Sequence, residues 1–301
     1  MYAGVRKDKD AESIKDEALV NLVPILLDVT NIKHIEDAVN TIEVSKRPLI
    51  ALVNNAGIAM SDSPIELVDL KRWRYLFDVN VFGLLSVTQH FLPHLRSSHG
   101  RIINIGSIAG DISQPLWSPY SSSKHALEAI SDSLRVELRP FHISVSLIKP
   151  GEIQTNIYKK MEADSNFDNN NNNNNWSLKK DYEATLKKCR STTTDETKSL
   201  YSGAVKSSLE FVHHCATTTD RGEIPTVVMT NNAITHAIMS RTPRTRYVFG
   251  GGSAAWITNL ILPDKISDAL MSWLFNFAGW KMLQDGIGLP LFKFLNAIFY
   301  W

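Results

Sequence analysis

The 301-residue chain carries 32 Lys and Arg against 31 Asp and Glu, a net charge of +1, with 44% hydrophobic and 21% charged residues. This is the composition of a globular protein long enough to bury a large core, and it offers no run of Lys and Arg that would make a basic face for nucleic acid. The two cysteines, Cys189 and Cys215, have no ligand-like spacing, which argues against a metal site and for free thiols in a reducing compartment.

Taken in order, the first residues lack the apolar stretch of a secretory signal. Met1–Val5 reads as the end of a short strand, and Arg6–Glu17 is charged and helix-compatible. Leu22–Leu27 is an apolar run that ends in Asp28-Val29-Thr30. Asn31–Val44 places Ile32, Ile35, Val39 and Ile42 three or four apart, which predicts an amphipathic helix. Pro48–Val53 is a second strand-like run, closed by Asn54-Asn55-Ala56-Gly57. Ile65–Leu95 carries a long helical pattern with a kink expected near Gly83. Arg101–Ile105 predicts a strand, Ser118–Arg139 a helix, and Ile143–Ile148 a strand stopped by Pro150-Gly151.

Beyond that point the pattern weakens. Asp168 begins a low-complexity tract with seven consecutive Asn (169–175), read as a disordered insertion at about 164–177. Asp195–Ala216 returns to helical periodicity, Thr217–Glu223 is a loop, and Arg244–Gly250 reads as a late strand. Ala269–Trp301 is rich in Trp, Phe and Leu, but Lys281, Gln284, Asp285 and Lys293 interrupt it, so no 18-residue apolar run predicts a spanning helix. Packing on the core, lining a substrate entrance and lying on a membrane surface all remain open for it.

Short apolar runs alternating with helices predict an α/β fold with a parallel sheet covered on both faces. In such sheets ligands bind beyond the carboxyl ends of the strands. Asp28, Asn54–Gly57, Ser107 and Pro150–Gly151 all stand just after strand-like runs, so they converge on one expected site. Tyr120 and Lys124 are four apart, on one face of the predicted helix. A cation near the phenol favours phenolate, so Lys124 is expected to lower the pKa of Tyr120 and fit it for proton transfer.

In this order and spacing the residues resemble the classical short-chain dehydrogenases/reductases. Asn54-Asn55-Ala56-Gly57 matches that family's NNAG, Asn80 its catalytic Asn, and Ser107 with Tyr120-x-x-x-Lys124 its Ser and YxxxK. Pro150-Gly151-x-x-x-Thr155 matches its PG motif, and Asp28 its acidic residue beside adenine. The match covers about Tyr2–Thr155. From His236 to Asp264 a TRYxxG-like strand, a hydrophobic stretch and a Leu-Pro loosely resemble the branch that includes retinol and 17-beta-hydroxysteroid dehydrogenases.

The resemblance implies a single Rossmann-like doubly wound domain over 1–301. In it, 1–155 carry the cofactor and catalytic core and 156–301 form a C-terminal helical substrate region. It implies hydride transfer between a nicotinamide and a carbonyl or alcohol, on a lipophilic substrate. Tyr120 would be the general acid in reduction and base in oxidation, Lys124 would hold the nicotinamide ribose, Ser107 the substrate oxygen, and Asn80 a water relay. Cofactor contacts would come from Arg6, Asp28, Asn54, Ala56, Gly57, Tyr120, Lys124, Pro150, Gly151 and Thr155. Arg6 follows the first strand where an acid would favour NAD, so NADP is the expected cofactor and NAD the less favoured one. A cytoplasmic location is expected, with peripheral membrane contact and homo-oligomers left open.

One departure stands out. The family begins with a strand and a TGxxxGxG turn that holds the pyrophosphate, and neither is present in these residues. The fold is therefore expected to be N-terminally truncated, with sheet edges exposed or the first strand displaced. A catalytically inactive member acting as a binding or scaffold protein stands as the alternative.

Overall fold

The computed structural model describes residues 1–17, 22–59, 65, 68–113, 116–151 and 226–249. Thr155, the Asn-rich tract, the helical stretch expected at 195–216 and the apolar segment 269–301 lie outside the described residues. Strand β1 (Tyr2–Val5) pairs in parallel with β2 (Val23–Leu26), Tyr2 opposite Val23 and Val5 opposite Leu26. Strands β3 (Ala51–Asn54), β4 (Arg101–Ile105), β5 (Ser144–Pro150) and β6 (Arg246–Phe249) form a second parallel sheet, hydrogen-bonded in that order. Among the described residues β1 pairs only with β2, and β3 only with β4.

What joins the two sheets is a shared core. Helix α1 (Asp8–Glu17) connects β1 to β2, and helix α2 (Ile32–Ser45) follows. Asn31 caps α2 by accepting hydrogen bonds from the backbone N–H groups of Lys33 and His34. Its three- and four-residue spacing buries Ile35, Ala38 and Ile42, while Ile32 stays outside. These pack with Val87 and Phe91 against Tyr2 and Ile25 of the first sheet, Leu27 just after it and Leu52 of the second.

The long helical pattern before β4 resolves into helix α3 (Leu70–Phe77), a π-helical segment (Asp78–Gly83) and helix α4 (Leu84–Ser98). Asp69 caps α3 through the backbone N–H of Lys71, which is why the helix begins at Leu70 rather than Ile65. The kink expected at Gly83 is the π segment, whose wider turn re-aims the residues within it. Asn80 lies there.

Helix α5 (Ser118–Glu137) follows β4. Helix α6 (Thr226–Met239), which the sequence pattern did not predict, covers the opposite face of the second sheet. Ile102 and Val145 face one side with Leu95 and Leu138, and the adjacent Ile103 with Ile148 face the other, against Ala233 and Ala237 of α6. This is the period-two alternation of a sheet buried on both faces. Arg101 fixes α6 by donating from Nη1 to the carbonyls of Ala237 and Ser240 at 2.9 and 2.6 Å, at the helix end where backbone acceptors lack partners. Among the described residues no helix is long and apolar enough to cross a membrane.

Candidate active site at the strand ends

Beyond the carboxyl end of β3 the chain runs through Asn54–Gly57 to Ile58, where the π segment holds it. Asn80, 1% exposed, accepts the Ile58 N–H at Oδ1 (2.8 Å) and donates from Nδ2 to the Ile58 carbonyl (2.9 Å) and to Ser123 Oγ (3.1 Å). Ser123 in turn donates to the Tyr120 carbonyl at 2.7 Å. Both amide protons of Asn80 are thus committed. Its side chain clasps the loop after β3 to helix α5.

On α5, Tyr120 and Lys124 do face one site. Lys124 is 6% exposed, and its Nζ donates to the Ile105 carbonyl at the end of β4 (3.0 Å) while standing 5.7 Å from the centre of the Tyr120 ring. Burial lowers the Lys124 pKa to about 8. The Ser107 side chain lies beside the Tyr120 phenol. Burial pushes the phenol up, and Ser107 pulls it part of the way back. The sequence-based expectation that Lys124 lowers the Tyr120 pKa is corrected here. The ammonium points at a carbonyl rather than the phenol oxygen, and desolvation dominates.

Ser107 is held in extended backbone by accepting the Ala109 N–H at Oγ (3.1 Å), and a short 3-10 turn (Ile108–Gly110) follows. Trp117 lies edge-on to Tyr120, ring centres 5.9 Å apart. The residue before it, Leu116, has φ of 68°, a left-handed conformation uncommon for a bulky side chain.

The remaining expected site residues divide. Ala56 and Gly57 are exposed beside the tetrad; a Cβ on Gly57 would lie 3.5 Å from Asn80 Oδ1 and 3.7 Å from Lys124 Nζ. Asn54 turns inward instead, donating to Thr88 Oγ1 (3.0 Å) and Asn104 Oδ1 (2.9 Å), so its side chain serves the core. Asp28 uses Oδ1 to accept from Thr30 N and Oγ1, and the next residue, Val29, packs toward Gly83 of the π segment. Pro150 is buried at the end of β5, and Gly151 N donates to the Phe249 carbonyl at 2.8 Å. Arg6 stands exposed just after β1. Thr155 lies outside the described residues. Among the described residues no cluster of His, Cys, Asp and Glu could hold a metal.

A buried phenol, the serine beside it and a buried ammonium thus gather at the carboxyl end of β4. Residues 3–166 match the short chain dehydrogenase family model. The chain belongs to the short-chain dehydrogenase family. It is 32% identical over 281 residues to retinol dehydrogenase 7 of Rattus norvegicus, covering 91% of this chain and 80% of that protein. It is 38% identical over 173 residues to the NADPH-dependent 3-dehydrocapnine reductase of Ornithobacterium rhinotracheale, covering 55% and 61%. A short-chain dehydrogenase from Streptomyces avermitilis superposes with a TM-score of 0.61 at 23% identity, over 90% of this chain and 85% of that one, which establishes the shared fold.

As a short-chain dehydrogenase the chain is an oxidoreductase, and the resemblance to the retinol dehydrogenase-like branch holds along most of its length. Sequence reasoning missed three participants: the Ile105 carbonyl, the Ile58 backbone and Ser123. The carbonyl and the Ile58 backbone carry no side-chain signal. Ser123 is one of three serines between Tyr120 and Lys124, and only helix geometry singles it out.

Proposed function

We propose that this protein is an NADP-dependent oxidoreductase that interconverts a lipophilic alcohol and its carbonyl, with Tyr120 as general acid and base. The observation that carries the reading is the buried Lys124 ammonium, anchored to the Ile105 carbonyl and 5.7 Å from the centre of the Tyr120 ring, with Ser107 beside the phenol. The residues fit a nicotinamide dinucleotide. Ile105 takes one of the three protons of Lys124, small exposed residues (Ala56, Gly57) border that ammonium, and Arg6 provides a cation for a 2′-phosphate. Bound there, the cofactor would supply or accept the hydride.

In reduction Tyr120 gives its phenolic proton to the carbonyl oxygen as that oxygen gains charge, and in oxidation it takes the proton from the alcohol. Ser107 donates to the same oxygen and stabilises the developing negative charge. Lys124, with two protons left after its bond to the Ile105 carbonyl, would hold the nicotinamide ribose hydroxyls. Support for NADP comes from Arg6 and from the reductase relative whose name specifies NADPH. Support for a lipophilic alcohol comes from the relative named for retinol.

The test is turnover with NADP(H) and NAD(H) across long-chain, retinoid and steroid alcohols and their carbonyls. Tyr120→Phe should abolish turnover while sparing cofactor binding followed by protein fluorescence. Turnover that survives this substitution removes Tyr120 from its role, and a preference for NAD(H) removes Arg6 from its own.

A further inference from the structure

Lys149 is 1% exposed, at the end of β5 immediately before Pro150-Gly151. A buried ammonium is expensive unless it is paired and fully hydrogen-bonded. Lys149 Nζ meets both carboxylate oxygens of Glu128, at 2.8 and 2.7 Å, and is ion-paired with Asp111. Around this centre lie Arg246 of β6, which reaches Glu128 (3.2 Å) and Asp132 (2.6 Å), and Arg135, which reaches Asp132 (3.0 Å). Three cations and three carboxylates from four segments close on one another.

The two acids that Lys149 grips belong to the two carriers of the catalytic groups. Asp111 ends the turn that begins at Ser107, and that turn is stiffened by Gly110 N donating to the Ser107 carbonyl (3.0 Å) and Asp111 N donating to the Ile108 carbonyl (3.0 Å). Glu128 lies on α5 four residues beyond Lys124 and eight beyond Tyr120, on the same helix face. The turn and the helix touch closely. A Cβ on Gly110 would lie 3.1 Å from Glu128 Oε2 and 3.1 Å from the Lys124 carbonyl.

We propose that Lys149 is a positioning residue that clamps the Ser107 turn to α5 through Asp111 and Glu128, and so holds Ser107 beside the Tyr120 phenol. None of the three charged groups touches the reacting atoms. Without the ammonium, Asp111 and Glu128 repel each other, the turn relaxes from the helix, and Ser107 moves away from the phenol. Burial already raises the Asp111 pKa, more than its Lys149 partner lowers it, so the turn side is the weaker half of the clamp.

The proposal rests on the oxidoreductase reading above, and its test separates the two. In the full chain, Lys149→Met should lower kcat about tenfold or more, as small misplacements of reacting groups do, with KM for substrate and cofactor nearly unchanged. Lys149→Arg should restore most of the rate. Independently of turnover, the alkaline titration of Tyr120 is read as the ultraviolet difference between each protein and its Tyr120→Phe counterpart. It should move upward in Lys149→Met, because the phenol has lost the Ser107 contact that holds it down. Asp111→Asn, which leaves the Lys149–Glu128 pair intact, should show the same two changes in smaller measure, and it decides the question if Lys149→Met does not fold. A parental kcat with an unmoved Tyr120 titration overturns the clamp. So does a fall in kcat matched by a rise in KM with no titration shift, which marks general loosening. If the parent turns over nothing with any nicotinamide cofactor, the functional reading fails and the Tyr120 titration alone decides the clamp.

Discussion

Asn80 and Ile58 exchange two hydrogen bonds, Ile58 N–H to Oδ1 at 2.8 Å and Nδ2 to the Ile58 carbonyl at 2.9 Å. An amide side chain here completes the backbone pairing of a loop residue that no strand partner satisfies, and it does so from a π turn one helix away. Removing it strands a donor and an acceptor of Ile58 and one acceptor on Ser123. Asn80→Ala should therefore destabilise the fold by about 2–3 kcal/mol, seen as a lower urea midpoint with little change in m. Asn80→Asp keeps the acceptor but loses both donated bonds, and should fall between the two. An unshifted midpoint for Asn80→Ala would mean the clasp carries no weight.

Lys124 makes stability depend on pH with a defined sign. Its folded pKa, about 8, lies below the 10.5 of an exposed lysine. Between those values the unfolded chain binds more protons than the folded one, so this group's contribution to stability rises with pH across that window. Below it, keeping the ammonium buried costs about 3 kcal/mol. Lys124→Met should be more stable than the parent at pH 7, by roughly 1–3 kcal/mol after the lost Ile105 hydrogen bond is counted, and the advantage should vanish near pH 10.5. Urea unfolding of both proteins at several pH values between 7 and 10.5 checks this. Curves that stay parallel would show that the lysine is not desolvated.

Tyr120 should be protonated in the free protein well into alkaline solution, since burial raises its pKa more than Ser107 lowers it. It is then ready as an acid and must be deprotonated to serve as a base. kcat/KM for carbonyl reduction should hold through neutral pH and fall at alkaline pH, while alcohol oxidation should rise across the same range. Because Ser107 lowers the phenol's pKa, Ser107→Ala should move the alkaline limb of both profiles upward, in addition to slowing the reaction. A limb that stays in place would show that another group titrates there.

How far the sequence carried the description depends on which atoms hold the site together. Strands β1 to β6 were legible because a parallel sheet is written as short apolar runs such as Arg101–Ile105, and Asn80, Ser107, Tyr120 and Lys124 were legible because their chemistry resides in side chains at fixed spacing. Helix α6 was not. Its Thr226–Met239 sequence mixes Thr, Asn and His among apolar residues with little periodicity, and its helix is secured by Arg101 from a distant strand. The core contacts of Asn54 were hidden for a related reason. A turn-like Asn-Asn-Ala-Gly gives no sign that its first amide faces Thr88 and Asn104 across the sheet. Lys149 offered one signal, a charge at the end of a buried strand, but its partners are 21 and 38 residues away in the chain.

The two glycines nearest Asn80 separate stability from binding. At Gly83 a Cβ would meet Val29 Cγ2 at 2.6 Å and the Asp78 carbonyl at 3.0 Å, so the π segment and the turn after β2 approach to a distance that only hydrogen on Cα allows. The Asp78 oxygen belongs to the backbone and cannot swing away. Gly83→Ala should cost about 1–3 kcal/mol and shift the unfolding midpoint. At Gly57 the nearest atoms, Asn80 Oδ1 and Lys124 Nζ, would lie 3.5 and 3.7 Å from a Cβ, which is ordinary contact. Gly57→Ala should change stability by less than about 0.5 kcal/mol. The added methyl instead stands beside the Lys124 ammonium, where the proposed reading seats the nicotinamide ribose. It should raise the cofactor KM several-fold with kcat less affected. Paired unfolding and steady-state measurements on the two variants read both effects. The opposite pattern, a destabilised Gly57→Ala with parental KM and a stable Gly83→Ala, would move the cofactor away from this side of Lys124.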